Sequence, residues 1–267
     1  MVVAVVVFIV VLRVVERSVA HFENMRTNMK RLISSFDLSG LLLSLSGILL
    51  GVLLASADYH VKWEAASALI LTTLPLHVYM LRSGRWWLAA SVIGAVLTVY
   101  LSYGTIFCLE SLLLLLFGYF ILRLAKGFGG KGRFADTMVT VFLKGLVAVF
   151  GAYFVCTHSF PFWFLLFPAF SLGLLGAAAD LTEYKSGKGL ITVLLLLGLA
   201  LMMVFSLLRV FSLAHFLYLL AIPAYLYIIY SMYTRKEQDP SLYRPFLALC
   251  TFAVAVLTGV GFVGYLL

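Results

Sequence analysis

The sequence predicts an all-α, polytopic membrane protein, and three observations carry that prediction. Hydrophobic residues make up 64% of the 267 and charged residues only 11%, where about a quarter charged is usual for a water-soluble domain. The apolar residues form runs of roughly 17 to 22, each long enough for a helix to cross ~30 Å of hydrocarbon. The basic residues gather in alternate connections between those runs, as expected of loops on one face of a bilayer.

The runs fall near 38–57, 65–81, 86–103, 105–122, 138–156, 160–179, 190–208, 213–233 and 246–267, which gives about nine crossings. Helix is the reading for all of them, because an open strand leaves its backbone groups unpaired in lipid. Residues 1–36 form a separate segment. Val2 to Leu12 is a short apolar run, and Val15, Val19, Phe22, Met25, Met29, Leu32 and Phe36 then recur at spacings of three and four. With Arg and Lys on the other face, that periodicity describes an amphipathic helix lying along the membrane surface. A tenth span, or a true start at Met25 or Met29, fits the same residues. Residues 37–267 read as one transmembrane domain.

Charge sets the orientation. Arg17, Arg26, Lys30, Arg31, Arg82, Arg85, Arg123, Lys126, Lys131, Arg133, Lys185, Lys188, Arg235, Lys236 and Arg244 share one side, fifteen of the 19 Lys and Arg. Lys62 and Arg209 take the other. The positive-inside rule makes the first side cytoplasmic, and nine spans then put Leu267 outside. Trp63, Trp86, Trp87 and Trp163 sit at span ends, where an amphipathic ring suits the headgroup layer. The net charge of +8 therefore points to the membrane surface, not to nucleic acid. Cys108, Cys156 and Cys250 are scattered in apolar runs and read as small buried hydrophobes. Membrane lipid is the partner all of this implies, and a bacterial inner membrane the expected location.

Function concentrates where polar residues interrupt the apolar pattern. A charge near mid-membrane costs at least ~2.5 kcal/mol, so Glu110 and Lys144 must face protein or water. Nothing in the spacing pairs them. His77, His158 and His215 read as structural. The richest polar segment runs Asp180-Leu-Thr-Glu-Tyr-Lys-Ser-Gly-Lys-Gly to Gly189. Asp180 and Glu183 share one face of a helical turn and suit Mg²⁺, while the lysines suit a diphosphate. An ordinary solvated loop fits as well.

Ala177 to Leu195 resembles the second aspartate motif of the UbiA family of intramembrane prenyltransferases, D-x-x-x-D followed by a basic residue and Gly-Lys. Gly145 to Val155 resembles the fifth helix of its menaquinone branch, the 1,4-dihydroxy-2-naphthoate prenyltransferases. Gly129-Gly-Lys-Gly-Arg-Phe-Ala-Asp136 is similar to the glycine-rich basic loop before that helix, and Leu38 to Gly51 to the first helix of the family. The resemblance implies a UbiA-like bundle of nine helices. It also implies transfer of a polyprenyl chain from its diphosphate to an aromatic quinone precursor, with Mg²⁺ as cofactor. Asp180 and Glu183 would hold the metal, and Lys131, Arg133 and Lys188 the diphosphate.

The family's first aspartate motif is missing. Thr72 to Arg85 contains no Asp, Glu or Asn, and Asp180 is one residue out of register in the second motif. A Mg²⁺ bridging two phosphates needs charged ligands. Arg82 and Arg85 would have to hold diphosphate in place of the missing cluster. Three readings follow: a prenyltransferase, a non-catalytic lipid-binding or assembly protein of the same fold, and a small transporter using Glu110 and Lys144.

Overall fold

The computed structural model describes residues 37–58, 61, 63–82, 85–103, 137, 140–157, 163–182, 187–208, 213–234 and 239–263. Among them every regular element is helical. Four helices are long and apolar enough to cross a membrane: Leu38–Ser56, Lys188–Leu208, Phe216–Thr234 and Pro240–Val263. Shorter apolar helices cover Trp86–Leu101, Val141–Thr157 and Leu166–Leu181. The segment 1–36 and the span near 105–122 lie outside the described residues, as do Cys108, Glu110, His158 and Leu267.

In chain order the helices are α1 (Leu38–Asp58), α2 (Trp63–Arg82), α3 (Arg85–Tyr103), α4 (Ala148–Thr157), α5 (Leu166–Leu181), α6 (Lys188–Leu208), α7 (Ile222–Thr234) and α8 (Arg244–Val263). Three depart from the simple spans expected. A π-helical segment, Val141–Val147, leads into α4, and a 3-10 stretch, Leu213–Ala221, leads into α7. A 3-10 turn, Pro240–Tyr243, opens α8, with Asp239 accepting a bond from the Ser241 amide at 3.1 Å.

α1 sits at the centre, flanked by α8 on one side and by α4 with its π-helical lead on the other. α5 packs between that lead and α6, and α2 and α3 form a hairpin against α1 and α4. Residues 171–179 of α5 are buried without interruption, so it is apolar all round, as an interior helix must be. The helices meet through small residues, the usual device where lipid supplies no hydrophobic drive between helices. A methyl group on Gly47 would strike the Lys144 carbonyl, and one on Gly145 would strike the Ala169 carbonyl and the backbone of Gly173. Two buried polar pairs cross between helices: Ser171 donates to the Gly198 carbonyl at 2.7 Å, and the hydroxyls of Tyr225 and Thr251 lie 3.0 Å apart.

The outer surfaces are apolar, with Leu71, Ile93, Val193 and Leu249 all exposed. Exposed Trp86 and Trp87 start α3, and exposed Tyr230 and Tyr233 lie in the last turns of α7. Trp63 and Trp163 mark the opposite helix ends. The 20 residues of α2 between those ends span about 30 Å, one hydrocarbon thickness.

Candidate functional site

Four charged side chains, those of Asp37, Lys144, Asp180 and Arg244, converge at one end of the bundle, while Glu64 lies exposed in the first turn of α2 at the other. Asp37 precedes α1 and starts it. Its backbone adopts φ 34°, a left-handed conformation that Asp tolerates better than most residues. Its carboxylate accepts from the Gly40 amide at 3.2 Å and caps the helix. A side chain on Gly40 would collide with that carboxylate and with His77. His77, in the last turns of α2, places Nε2 3.0 Å from the Asp37 carbonyl oxygen.

Arg244, the first residue of α8, grips the same carboxylate with both arms. Nη1 donates to Oδ1 at 2.6 Å and Nη2 to Oδ2 at 3.1 Å. The planar fork fits the carboxylate bidentately, the strongest form of such a pair. Nη2 also lies 3.4 Å from Oδ1 of Asp180, in the last turn of α5. Lys144 completes the chain, its Nζ 2.6 Å from Oδ2 of Asp180. The order of contact is thus Asp37, Arg244, Asp180, Lys144, and the formal charges cancel.

Local structure explains how Lys144 gets there. It lies in the π-helical segment, whose wider turn sits where Gly47 of α1 and Gly173 of α5 press the backbone from two sides. The Lys144 stem then runs past Gly176, where a methyl would stand 3.9 Å from its Cδ. Larger residues at those positions would close the path. All four side chains keep 12–23% of their surface exposed, so the network sits at the edge of the interior, not at its centre. Burial opposes ionisation of Asp37, but the Arg244 guanidinium, the Gly40 amide and His77 outweigh it and hold the carboxyl below its ordinary value.

Of the residues expected from sequence, Asp180 and Lys188 are fully described, and both are engaged within the chain. Asp180 faces two cations. Lys188, the first residue of α6, donates to the Met232 carbonyl at the end of α7, where a cation suits the negative end of the helix. Arg82 ends α2 and Arg85 begins α3 at the charged end of the bundle. Lys131, Arg133 and Glu183 lie outside the described residues, and so do the side chains of Arg82, Arg85 and His215. Among the described residues no group of three or more His, Cys, Asp or Glu could hold a metal ion. Nζ of Lys144 and Nη2 of Arg244 lie against the two oxygens of Asp180, and Glu183, the other residue expected on Mg²⁺, lies outside the described residues.

Sequence reasoning missed two partners. It found no pair for Lys144, which meets Asp180 thirty-six positions away, and it counted Arg244 only as a loop charge. Asp37 was a visible signal, an acidic residue directly before the first apolar run. No protein-family model, curated protein or solved structure matches this chain.

Proposed function

We propose that this chain is a non-catalytic, lipid-binding or assembly protein of the membrane, built on a helical bundle of the UbiA kind. The supporting observation is the state of Asp180. Metal-bridged diphosphate chemistry needs its oxygens on Mg²⁺, yet they face Lys144 at 2.6 Å and Arg244 at 3.4 Å. Removing a carboxylate from two such cations in a poorly hydrated site strands them, a cost of several kcal/mol in a buried pair. The cluster therefore serves as a clamp on α1, α5, α8 and the lead into α4. On this reading the nine helices cross a bacterial plasma membrane, the charged loops are cytoplasmic, and the C-terminus lies outside.

The prenyltransferase reading uses the same end of the bundle and is tested directly. Purified protein in lipid is given labelled polyprenyl diphosphate, Mg²⁺ and a naphthoate or benzoate acceptor. The expected outcome is no labelled product above that of Asp180→Asn, with lipid retained through purification. Mg²⁺-dependent transfer that vanishes in Asp180→Asn would overturn the proposal. It would put Asp180 and Glu183 on the metal, and Lys131, Arg133, Lys188, Arg82 and Arg85 on the diphosphate. Membrane-impermeant thiol labelling of cysteines placed at residues 83 and 187 tests the topology, with both expected on the cytoplasmic face.

A further inference from the structure

The convergence of Lys144 and Arg244 on a single carboxylate has the form of an anion site with an internal occupant. One oxygen of Asp180 meets Nζ at 2.6 Å and the other meets Nη2 at 3.4 Å. The two contacts are unequal. Arg244 has both arms on Asp37, so its contact with Asp180 is a third, long and single-armed one that can be exchanged at small cost. Lys144 carries three donor hydrogens. Asp180 is the least comfortable member of the group, because it places a negative charge in the last turn of α5, at the negative end of that helix.

Depth suggests what the site meets. Asp37 directly precedes α1, Arg244 is the first residue of α8, and Asp180 lies in the last turn of α5, so three of the four members sit at helix ends. The network therefore lies at one end of the apolar bundle, where the helices stop and the headgroups of one leaflet begin. Exposed Tyr230, Tyr233, Trp86 and Trp87 mark the same leaflet. The anion in steady supply at that depth is the phosphodiester of a bilayer lipid.

We propose that Lys144 and Arg244 form a binding site for the phosphate group of a glycerophospholipid, for which the Asp180 carboxylate is the internal competitor. The proposal deepens the lipid-binding reading and rests on it. Exchange needs no metal: the phosphate takes one hydrogen bond from Lys144 and one from Arg244 while Arg244 keeps its fork on Asp37.

The full chain in detergent is titrated with phosphatidylglycerol, with diacylglycerol of the same tails, or with inorganic phosphate, and bound species are counted by native mass spectrometry. Wild type is expected to prefer phosphatidylglycerol to diacylglycerol. Asp180→Asn, which removes the competitor but keeps its shape, is expected to tighten phosphatidylglycerol binding about fivefold, as suits the removal of one weakly competing charge. Adding Lys144→Met, or Lys144→Gln if the first does not survive purification, is expected to abolish that tightening. An Asp180→Asn protein that binds as wild type does, or a double variant that still binds more tightly, overturns the site while leaving lipid binding elsewhere intact. Inorganic phosphate that binds Asp180→Asn as tightly as the lipid does overturns the lipid assignment. If no variant retains either lipid, the lipid-binding reading itself falls.

Discussion

Arg244 reaches across 207 positions of sequence to hold Asp37 with both arms of its guanidinium, at 2.6 and 3.1 Å. The contact ties the start of the last described helix to the cap of the first. Arg244→Ala leaves a half-buried carboxylate without its main partner. The expected loss is about 3 kcal/mol, the low end for breaking a buried pair, because 21% of the Asp37 side chain stays exposed. Thermal unfolding in detergent would show it, and Arg244→Lys, which lacks the fork, is expected to recover less than half.

Asp37 also sets a pH dependence whose sign is fixed. Its folded pKa lies below the unfolded value of 3.8, so ionised Asp37 stabilises the fold, and that contribution is complete at neutral pH. It is lost only as pH falls below 3.8 and through the folded value. Melting curves between neutral and strongly acid pH are expected to separate wild type from Asp37→Asn at the neutral end and to converge at the acid end. Asn keeps the cap and tolerates the left-handed backbone, so the difference isolates the charge.

Lys144 and Asp180 are expected to be coupled. Lys144→Met alone leaves Asp180 with the longer Arg244 contact, and Asp180→Asn alone leaves Lys144 short of a counter-charge near the bilayer edge. The double variant is expected to be more stable than the sum of the two losses predicts, by about 1–2 kcal/mol. Additive losses would show that the 2.6 Å contact contributes nothing.

Two alanine substitutions are expected to act in opposite directions. Gly145→Ala drives a methyl into the Ala169 carbonyl and the Gly173 backbone, and overpacking of that kind costs about 1–3 kcal/mol. Gly151 lies in α4 with nothing within 4 Å of an added methyl, so Gly151→Ala is expected to stabilise by about 0.5–1 kcal/mol. Melting temperatures measured side by side test both. The first also tests whether the π-helical segment owes its place to the crossing with α5.

Four of the expected spans appear among the described residues as helices long and apolar enough to cross a membrane, and they were legible because runs such as 190–208 leave no competing reading. The place of Arg82, Lys188 and Arg244 at helix ends was legible too, since each falls between apolar runs. The pairing within the site was not. Lys144 meets Asp180 from a π-helical segment packed through glycine contacts against α1 and α5, and none of that has a local pattern. Asp180 was legible as a polar residue in a polar loop, but its partners lie 36 and 64 positions away. The 3-10 stretch before α7 was equally silent, because Leu213 to Ala221 carries no feature that distinguishes three residues per turn from 3.6.

That stretch has a mechanical result. A 3-10 helix rises ~2.0 Å per residue against ~1.5 Å for an α-helix. Phe216–Thr234 has 19 residues, of which the first six belong to the drawn-out part, so it reaches about 32 Å instead of about 29 Å. Phe216–Thr234 thus covers the ~30 Å of an ordinary bilayer with about 2 Å to spare, whereas a uniformly wound helix of the same residues would fall about 1 Å short. Rewinding it would therefore alter how thick a membrane the protein fits.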